Sequence, residues 1–372
     1  MNLLIFIIIL LVLVLVHEAG HFFTAKRFGI RVDEFGFGFP PKLFGKKYGE
    51  TEYTLNLLPI GGFVKIFGEN GEGADDLEVL PPFGGRTSKS RSFVNKPKYQ
   101  QAIVLIAGVF ANFLLAWFLF SFGLMSGLPA SVGSEPKGST LTDINLVIVS
   151  VLEKSPAEKA GLMSGDKITS LVSGQDKISD LNPNALKSFI LTHGNKEIKI
   201  GYVRGENNQL ATVTPVAKTT NGKPSIGISM DQIGIARLPL LAALWEGMKI
   251  TWSVTQSTAL GLYRLILEGL QGRGSLASVT GPVGMIGIVG DAYNFGFIYL
   301  LSFTALVSIN LAIINLLPFP ALDGGRLFFL LIEKIKGSRI NPKVANIANM
   351  VGFCVLIFLM VVVTYHDAVK LF

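Results

Sequence analysis

Cysteine and charged residues are both scarce in this chain. Its 372 residues include one cysteine, Cys354, and only 16% of them are charged. A single thiol excludes an internal disulfide and any metal site built on a Cys-x-x-Cys pair. A soluble protein has about 25% charged residues, so the shortage of charge, beside 49% hydrophobic residues, indicates a membrane protein. The length allows several spans and a separate water-exposed domain.

Basic residues outnumber acidic ones, which gives a net charge of +7. An excess of this kind is also typical of nucleic-acid-binding proteins. Here the lysines and arginines collect beside apolar runs, with twelve in residues 24–100 and four in residues 334–343. Basic loops mark the cytoplasmic side of membrane spans. The charge is therefore explained by a lipid bilayer, and no nucleic-acid partner is expected.

Four apolar runs are near the roughly 20 helical residues that cross a bilayer. They predict spans at 2–23, 101–127, 298–317 and 346–364. The first run lacks the basic start and the cleavage site of a signal peptide, so we expect it to be retained. With both basic loops in the cytoplasm, residues 128–297 and both termini are expected on the other side.

The first span ends in the sequence HEAGH. His17 and His21 stand four residues apart, so on a helix their imidazoles share one face. This spacing is typical of two zinc ligands, with Glu18 as the general base for a water molecule. The pattern also occurs by chance on soluble helices, but here both flanks are apolar. Ionisable groups at membrane depth indicate function, and the sequence therefore predicts a zinc site.

In the second span, Gly108 and Asn112 also stand four residues apart. A small residue lets two helices approach closely, and an amide inside a membrane needs a polar partner. Helix packing is the favoured interpretation of this pair. Asn112 is in addition a candidate for stabilising a reaction oxyanion.

Residues 51–69 alternate around the sequence PIGG, which predicts a β-hairpin with its turn at Gly61 and Gly62. Its outer face is apolar and includes Phe63. Such a hairpin is expected to dip into the bilayer or to receive another strand along its edge; packing on a small domain is the alternative. Residues 70–98, rich in Gly, Pro, Ser and charge, predict a mobile linker.

Residues 128–225 have soluble character. Short alternating segments predict strands, and a helix is expected over 182–194. Between the first two strands, residues 155–168 read SPAEKAGLMSGDKI, which resembles the signature of PDZ domains. These domains receive an extended peptide along a strand edge. The signature does not distinguish a peptide-binding groove from a domain that only limits access to the membrane site.

The region that follows, 226–297, is too charged for a further span. It predicts one or two amphipathic helices at the membrane interface, followed by a flexible Gly-rich connector at 278–290. After the third span, two prolines break the helix and LDGG places Asp323 in irregular backbone. Such backbone survives at membrane depth only where it is buried in protein or lines a cavity.

Taken in order, HEAGH, LLPIGGFVKIFGE, the Gly108–Asn112 pair, one PDZ signature, TGPVG and SINLAIINLLPFPALDGGR resemble the site-2 proteases. These are intramembrane zinc metalloproteases. The bacterial regulator of sigma-E protease group is the most similar, although this chain has one PDZ signature where the best-known members have two. The motifs keep the family's order over nearly the full length.

The resemblance implies that His17, His21 and Asp323 hold a Zn²⁺ ion and that Glu18 is the catalytic base. It also implies substrate contacts, at Asn315 and Asn310 and at the hairpin residues Gly61, Gly62 and Phe63. The implied substrates are single-pass membrane proteins, either anti-sigma factors or remnant signal peptides, in the inner membrane of a bacterium.

The expected fold is a polytopic α-helical membrane protein with four transmembrane helices, a membrane-associated β-hairpin and one extracytoplasmic PDZ domain. Its expected parts are a membrane domain at 1–127 and 298–372, the PDZ domain at 128–225 and the connector at 226–297. The active site is expected near the cytoplasmic side. A metal transporter would need neither Glu18 nor a PDZ domain, and an inactive scaffold usually loses part of the metal set; both remain alternatives.

Overall fold

The computed structural model describes residues 1–69, 88–178, 180–205, 207–220, 223–272 and 280–371. Most of the predicted linker, at 70–87, lies outside these ranges. The helices are α1 (Asn2–Arg27), α2 (Lys98–Ser126), α3 (Pro156–Lys159), α4 (Pro183–Thr192), α5 (Leu240–Leu270), α6 (Pro282–Asn294), α7 (Phe297–Asn315), α8 (Asp323–Lys336) and α9 (Pro342–Leu371).

The strands are β1 (Val32–Tyr48), β2 (Thr51–Ile66), β3 (Leu128–Ser131), β4 (Thr140–Val151), β5 (Lys167–Ser173), β6 (Asp176–Lys177), β7 (Ile198–Arg204), β8 (Asn207–Val213), β9 (Val216–Thr220), β10 (Lys223–Ser225) and β11 (Ile228–Arg237). The chain divides into two compact units. The first comprises residues 1–119, 249–289 and 303–372, and the second comprises residues 120–248 and 290–302.

Four helices are long and apolar enough to cross a membrane, and they coincide with the four apolar runs of the sequence. They are α1, α2, α7 and the part of α9 from Pro342 to Val369. Most of their large apolar side chains are exposed or only half-buried. In a bilayer those side chains face lipid, which is the environment that helices of this length and composition require.

The first unit contains a β-sheet whose pairing differs from the predicted hairpin. Segment 34–37 lies between the two arms of β2: Phe37 is opposite both Gly62 and Leu55. Segment 52–56 in turn has 34–37 on one edge and 42–47 on the other. Both of its edges are therefore occupied, and it does not pair with 62–66 across a turn at Gly61 and Gly62. Among the described residues, segment 62–66 has 34–37 on one side and no strand on the other, so it forms an edge of this part of the sheet.

The second unit is built on a seven-stranded sheet in the order β3-β11-β4-β5-β7-β8, with β6 beside β5. Its core includes Ile148, Leu171, Leu186, Ile198, Ile200 and Ile226, all at most 2% exposed. Helix α4 begins as predicted, since the side chain of Asn182 accepts a hydrogen bond from Ala185 N at 2.8 Å and Pro183 is the first helical residue.

Two segments between the sheet and α7 differ from the prediction. The sheet continues past residue 225, because β11 pairs with β4 and β3 along residues 228–237. The long helix α5 then follows. The Gly-rich run at 278–290, expected as a flexible connector, enters helix α6 at Pro282. Glycine costs about 1 kcal/mol per residue in a helix, but tertiary packing overrides this preference, and Val289 and Ala292 of α6 are buried.

Candidate active site

Helix α1 presents three polar side chains near its end. His17 and His21 are only 6% and 7% exposed, whereas most apolar residues of the same helix are not buried. The imidazole centroids lie 4.8 Å apart with the rings nearly perpendicular. The one-turn spacing read from the sequence thus places both histidines on the protein-facing side, and Glu18 lies between them on the half-buried flank.

A third side chain joins the two histidines from the far end of the chain. Oδ2 of Asp323 lies 3.0 Å from Nε2 of His17 and 3.2 Å from Nε2 of His21, and the two Nε2 atoms are 3.2 Å apart. A tetrahedral zinc ion with bonds of about 2.0–2.1 Å separates its ligand atoms by about 3.3 Å. The three atoms therefore have the spacing and the chemistry of a zinc-binding set, and the residues present fit this ion.

Asp323 owes its position to a sharp turn followed by a helix start. It is the first residue of α8, after a turn over residues 316–322. The unpaired N–H groups at a helix N-terminus favour a negative charge, so the backbone there stabilises the carboxylate form of Asp323. Gly324 and Gly325 permit this turn, since a Cβ on either would meet backbone oxygens of Leu316 or Phe319 at 2.2–2.3 Å.

The other nitrogen of His21 has a partner that fixes the orientation of the ring. Nδ1 of His21 lies 2.8 Å from the carbonyl oxygen of Val104. A carbonyl only accepts, so Nδ1 carries the proton and Nε2 keeps its lone pair towards Asp323. This is the usual outer contact of a metal-binding histidine.

The corresponding contact of His17 involves Asn112, which is 0% exposed. Its side-chain nitrogen lies 3.3 Å from Nδ1 of His17, and its buried Oδ1 has no hydrogen-bond partner among the residues that the structure describes. Exchanging the amide oxygen and nitrogen lets Oδ1 accept from Nδ1–H and leaves Nε2 of His17 free for metal, while the NH₂ group then occupies the position without a partner. The backbone oxygen of Asn112 accepts from Ser308 Oγ at 2.9 Å, which ties this point of α2 to α7.

Two glycines let α1 and α2 approach at the level of the histidines. A Cβ on Gly108 would lie 2.3 Å from Nε2 of His21 and 2.9 Å from Cε1 of His17. A Cβ on Gly20 would lie 2.3 Å from the carbonyl oxygen of Ala107. The Gly108–Asn112 pair was interpreted from sequence mainly as helix packing. In the structure both residues also lie against the histidine rings.

The edge segment 62–66 runs beside Glu18. A Cβ on Gly62 would be 3.2 Å from Cγ1 of Val14 and 3.6 Å from Cγ of Glu18. Gly61 adopts a φ of +93°, which glycine tolerates at no steric cost. The glycines predicted as a hairpin turn therefore lie where the sheet edge meets the helix that carries HEAGH.

The remaining predicted site residues are Phe63, Asn310 and Asn315. The ring of Phe63 lies over Gly36 of the neighbouring segment, where a Cβ would be 2.4 Å from it. Asn315 is the last residue of α7 and Asn310 lies within it, both half-buried. The substrate contacts expected of Phe63, Asn310 and Asn315 stay predictions.

Sequence reasoning missed an ion pair at the end of the sheet. Arg326, one turn after Asp323 on α8, pairs with Glu69, which follows β2. Burial raises the pKa of the Glu69 carboxyl, and the charge of Arg326 opposes that rise. The pair links the segment after the sheet to the helix that carries Asp323, and no local sequence pattern indicates it.

Comparison with known proteins covers almost the whole chain. The sequence model of the family described as "Peptidase family M50" matches residues 5–359. A relative from Clostridium perfringens is 36% identical over 96% of this chain and 95% of its own length. "Regulator of sigma-W protease RasP" from Bacillus subtilis is 31% identical over 99% of this chain and 98% of its own.

"Regulator of sigma-E protease RseP" from Salmonella typhimurium is 28% identical over 100% of this chain and 99% of its own. "Zinc metalloprotease RasP" from Geobacillus kaustophilus is 30% identical over 99% of this chain and 97% of its own. Among solved structures, the PDZ domain of the SdrC-like protein from Listeria monocytogenes matches 24% of this chain and 92% of its own, at 25% identity and a TM-score of 0.21.

Proposed function

This chain belongs to peptidase family M50, the site-2 proteases, and from that membership we propose that it hydrolyses peptide bonds inside transmembrane segments of other proteins. It is a zinc metalloprotease, as its relatives are by name. The four long apolar helices make it a multi-pass membrane protein. The convergence of His17, His21 and Asp323 carries the proposal for the site.

In this proposal His17, His21 and Asp323 hold the zinc ion. Three protein ligands are typical of catalytic zinc sites, which leave one position open. When bound there, zinc would polarise the scissile carbonyl and acidify the attacking water. Val104 and Asn112 contact the Nδ1 atoms of His21 and His17, so the two Nε2 atoms face Asp323 and would be available to the ion, and Gly108 leaves room for the rings.

Glu18 acts as the general base. It follows His17 directly on α1, so its carboxylate is offset from the ligand pair by a fraction of a turn and is free of a ligand role. The carboxylate would take a proton from the attacking water and later deliver it to the leaving amine nitrogen.

A helical substrate must unwind before its carbonyls can be attacked, and the sheet edge at 62–66 offers a place for it. An extended substrate segment could add along that edge through backbone hydrogen bonds, and Gly62 would bring it beside Glu18. Asn310 and Asn315 would replace backbone hydrogen bonds that the substrate loses on unwinding. Phe63 would pack against its side chains.

The proposed substrate class is supported by the sheet edge and by the names of two relatives. A single-pass membrane protein presents one helix to this edge, and the names of two relatives describe regulators of sigma-W and sigma-E. We therefore propose anti-sigma factors, or remnant signal peptides, as substrates in a bacterial inner membrane. The β-rich unit, proposed as an extracytoplasmic PDZ domain, would contact or exclude the substrate ectodomain, and the zinc site would lie near the cytoplasmic side.

The first experiment measures cleavage of a tagged single-pass membrane protein by the purified chain in detergent. Glu18→Gln should retain about one zinc and lose cleavage, because the ligands remain and the base is gone. Glu268→Gln, an exposed change of the same chemistry on α5, should cleave like wild type.

The two alternatives predict different results. A scaffold would hold zinc and cut none of several substrates in the wild-type form. A transporter would move zinc across vesicles and be indifferent to Glu18→Gln. Loss of zinc from the Glu18→Gln protein would contradict the division of roles between base and ligands.

A further inference from the structure

The turn that delivers Asp323 contains a residue in an unfavourable conformation. Ala321 has a φ of +77°, a left-handed conformation that costs energy for every residue with a Cβ. Such a residue persists only when its surroundings hold it. Two residues later the chain reaches Asp323, so a change at Ala321 would redirect the carboxylate.

The turn satisfies most of its own backbone groups, but not the N–H of Ala321. Phe319 N donates to Leu317 O at 2.7 Å and Leu322 N donates to Phe319 O at 3.2 Å. The two prolines of the turn have no N–H to satisfy. The N–H of Ala321 is donated instead to Oδ1 of Asn349, on α9, at 3.1 Å.

A second residue of α9, Gly352, packs against the same turn. A Cβ on Gly352 would lie 2.4 Å from the carbonyl oxygen of Pro320. Asn349 and Gly352 are three residues apart and share one face of the helix. Among residues 342–369 of α9, which the structure describes throughout, only Gly352 and Asp367 are buried. The last span therefore meets the turn at one small, specific contact.

We propose that Asn349 and Gly352 are positioning residues for the metal site. They hold Pro320 and Ala321 in the conformation that directs Asp323 towards His17 and His21. Without the Asn349 oxygen, an amide at membrane depth has no acceptor, and the strained φ of Ala321 has nothing to maintain it. This inference rests on the proposed role of Asp323 as a zinc ligand.

The test measures zinc affinity of the full-length protein in detergent by competition with a chelator, and the visible spectrum of the Co²⁺-substituted protein. Asn349→Ala should weaken zinc binding about 10- to 100-fold, the range found for outer contacts of metal ligands, and should alter the Co²⁺ spectrum. Asn349→Asp should bind nearly like wild type, because its carboxyl offers an acceptor oxygen in either protonation state. Gly352→Ala should behave like Asn349→Ala.

Two further variants separate positioning from general stability. Asn346→Ala, an exposed asparagine one turn earlier on α9, should leave zinc affinity unchanged. Ala321→Gly, added to Asn349→Ala, should restore affinity in part, because glycine adopts a positive φ without strain. A purely structural contact would lower the thermal midpoint of the metal-free protein and leave zinc affinity and the Co²⁺ spectrum as in wild type.

Two results would overturn the inference. One is equal zinc affinity in Asn349→Ala and Asn346→Ala, and the other is no restoration by Ala321→Gly. Asp323→Ala is measured beside them to separate this inference from the proposed function. If Asp323→Ala loses zinc while Asn349→Ala does not, only the positioning role is wrong; if Asp323→Ala keeps zinc, the ligand set is wrong and the positioning role falls with it.

Discussion

A Cβ atom on Gly108 would lie 2.3 Å from Nε2 of His21, the atom that faces Asp323. No real Cβ contact is that short, so Gly108→Ala must displace the imidazole or separate α1 from α2. We expect the variant to lose most of its zinc and its proteolytic activity, although alanine is the better helix former by about 1 kcal/mol.

Metal analysis after dialysis, with a thermal midpoint measured in detergent, checks this expectation. Gly261→Ala on α5 is the matched control, because a Cβ there meets nothing within 4 Å; it should keep its zinc. A Gly108→Ala protein with full zinc content would show that His21 does not bind metal through Nε2.

The two histidines could be predicted from sequence because their relation is local. One helical turn separates His17 from His21, and an apolar run fixes which face of the helix is protein-facing. Asp323 is 306 residues from His17 along the chain, and only the resemblance of its motif connected them. No sequence pattern indicated the contact between Asn349 and Ala321, because a lone asparagine in an apolar helix does not specify which backbone group it binds.

The sheet was predicted incompletely for a related physical reason. Alternation along 51–67 shows which side chains share a face, but it does not name the neighbouring strand. The neighbour is 32–39, where Gly36 leaves room for the ring of Phe63. Likewise, the glycines at 281, 284 and 287 suggested flexibility, whereas a carboxylate from a distant helix organises the start of α6.

That carboxylate supports a prediction about stability. Oδ2 of Asp367, on α9, accepts a hydrogen bond from Gly284 N at 2.9 Å, within the first turn of α6. It serves as a cap supplied from another helix, so Asp367→Ala should cost roughly 0.5–2 kcal/mol, as loss of a cap does. Unfolding in mixed micelles measures this cost. Asp367→Asn keeps an acceptor and should lose less, and Tyr365→Phe, at an exposed neighbour, should lose nothing.

The sheet edge at Gly62 gives a prediction about substrate. A valine there would project towards Val14, Glu18 and the backbone oxygen of Gly36, and it would obstruct the proposed addition of a substrate strand beside Glu18. Gly61→Val and Gly62→Val together should impair cleavage of a membrane-spanning substrate and leave zinc content unchanged.

A graded series tests this reading of the edge. Gly62→Ala should be milder than Gly62→Val, because its Cβ would stand 3.2 Å from its nearest neighbours, a spacing that small shifts relieve. An unstructured peptide, which needs no unwinding, should be affected less than a membrane helix. Full cleavage of the membrane substrate by the double variant would remove the sheet edge from the mechanism.

Glu50, in the turn between β1 and β2, binds Lys26 at the end of α1 and also Arg91. The ionisation of Glu50 should therefore make the stability of the folded chain depend on pH. Its carboxylate accepts hydrogen bonds from Lys26 Nζ at 2.6 Å and from Arg91 Nη2 at 2.6–2.7 Å. Partial burial raises the pKa of Glu50, but the hydrogen bonds and charges of Lys26 and Arg91 outweigh it, and the pKa lies below the ordinary 4.5.

A carboxyl whose pKa is lower in the folded than in the unfolded state stabilises folding while it is ionised. The contribution of Glu50 is therefore fully present above about pH 4.5 and is lost as the pH falls through the lower folded value. Glu50→Gln should lower the thermal midpoint at pH 7, and the difference from wild type should shrink below pH 4.5. Glu52→Gln, whose partner Lys42 is largely exposed, should show a smaller difference at pH 7. A Glu50→Gln difference that is the same at pH 7 and pH 3.5 would mean that the stabilisation by Glu50 does not come from its charge.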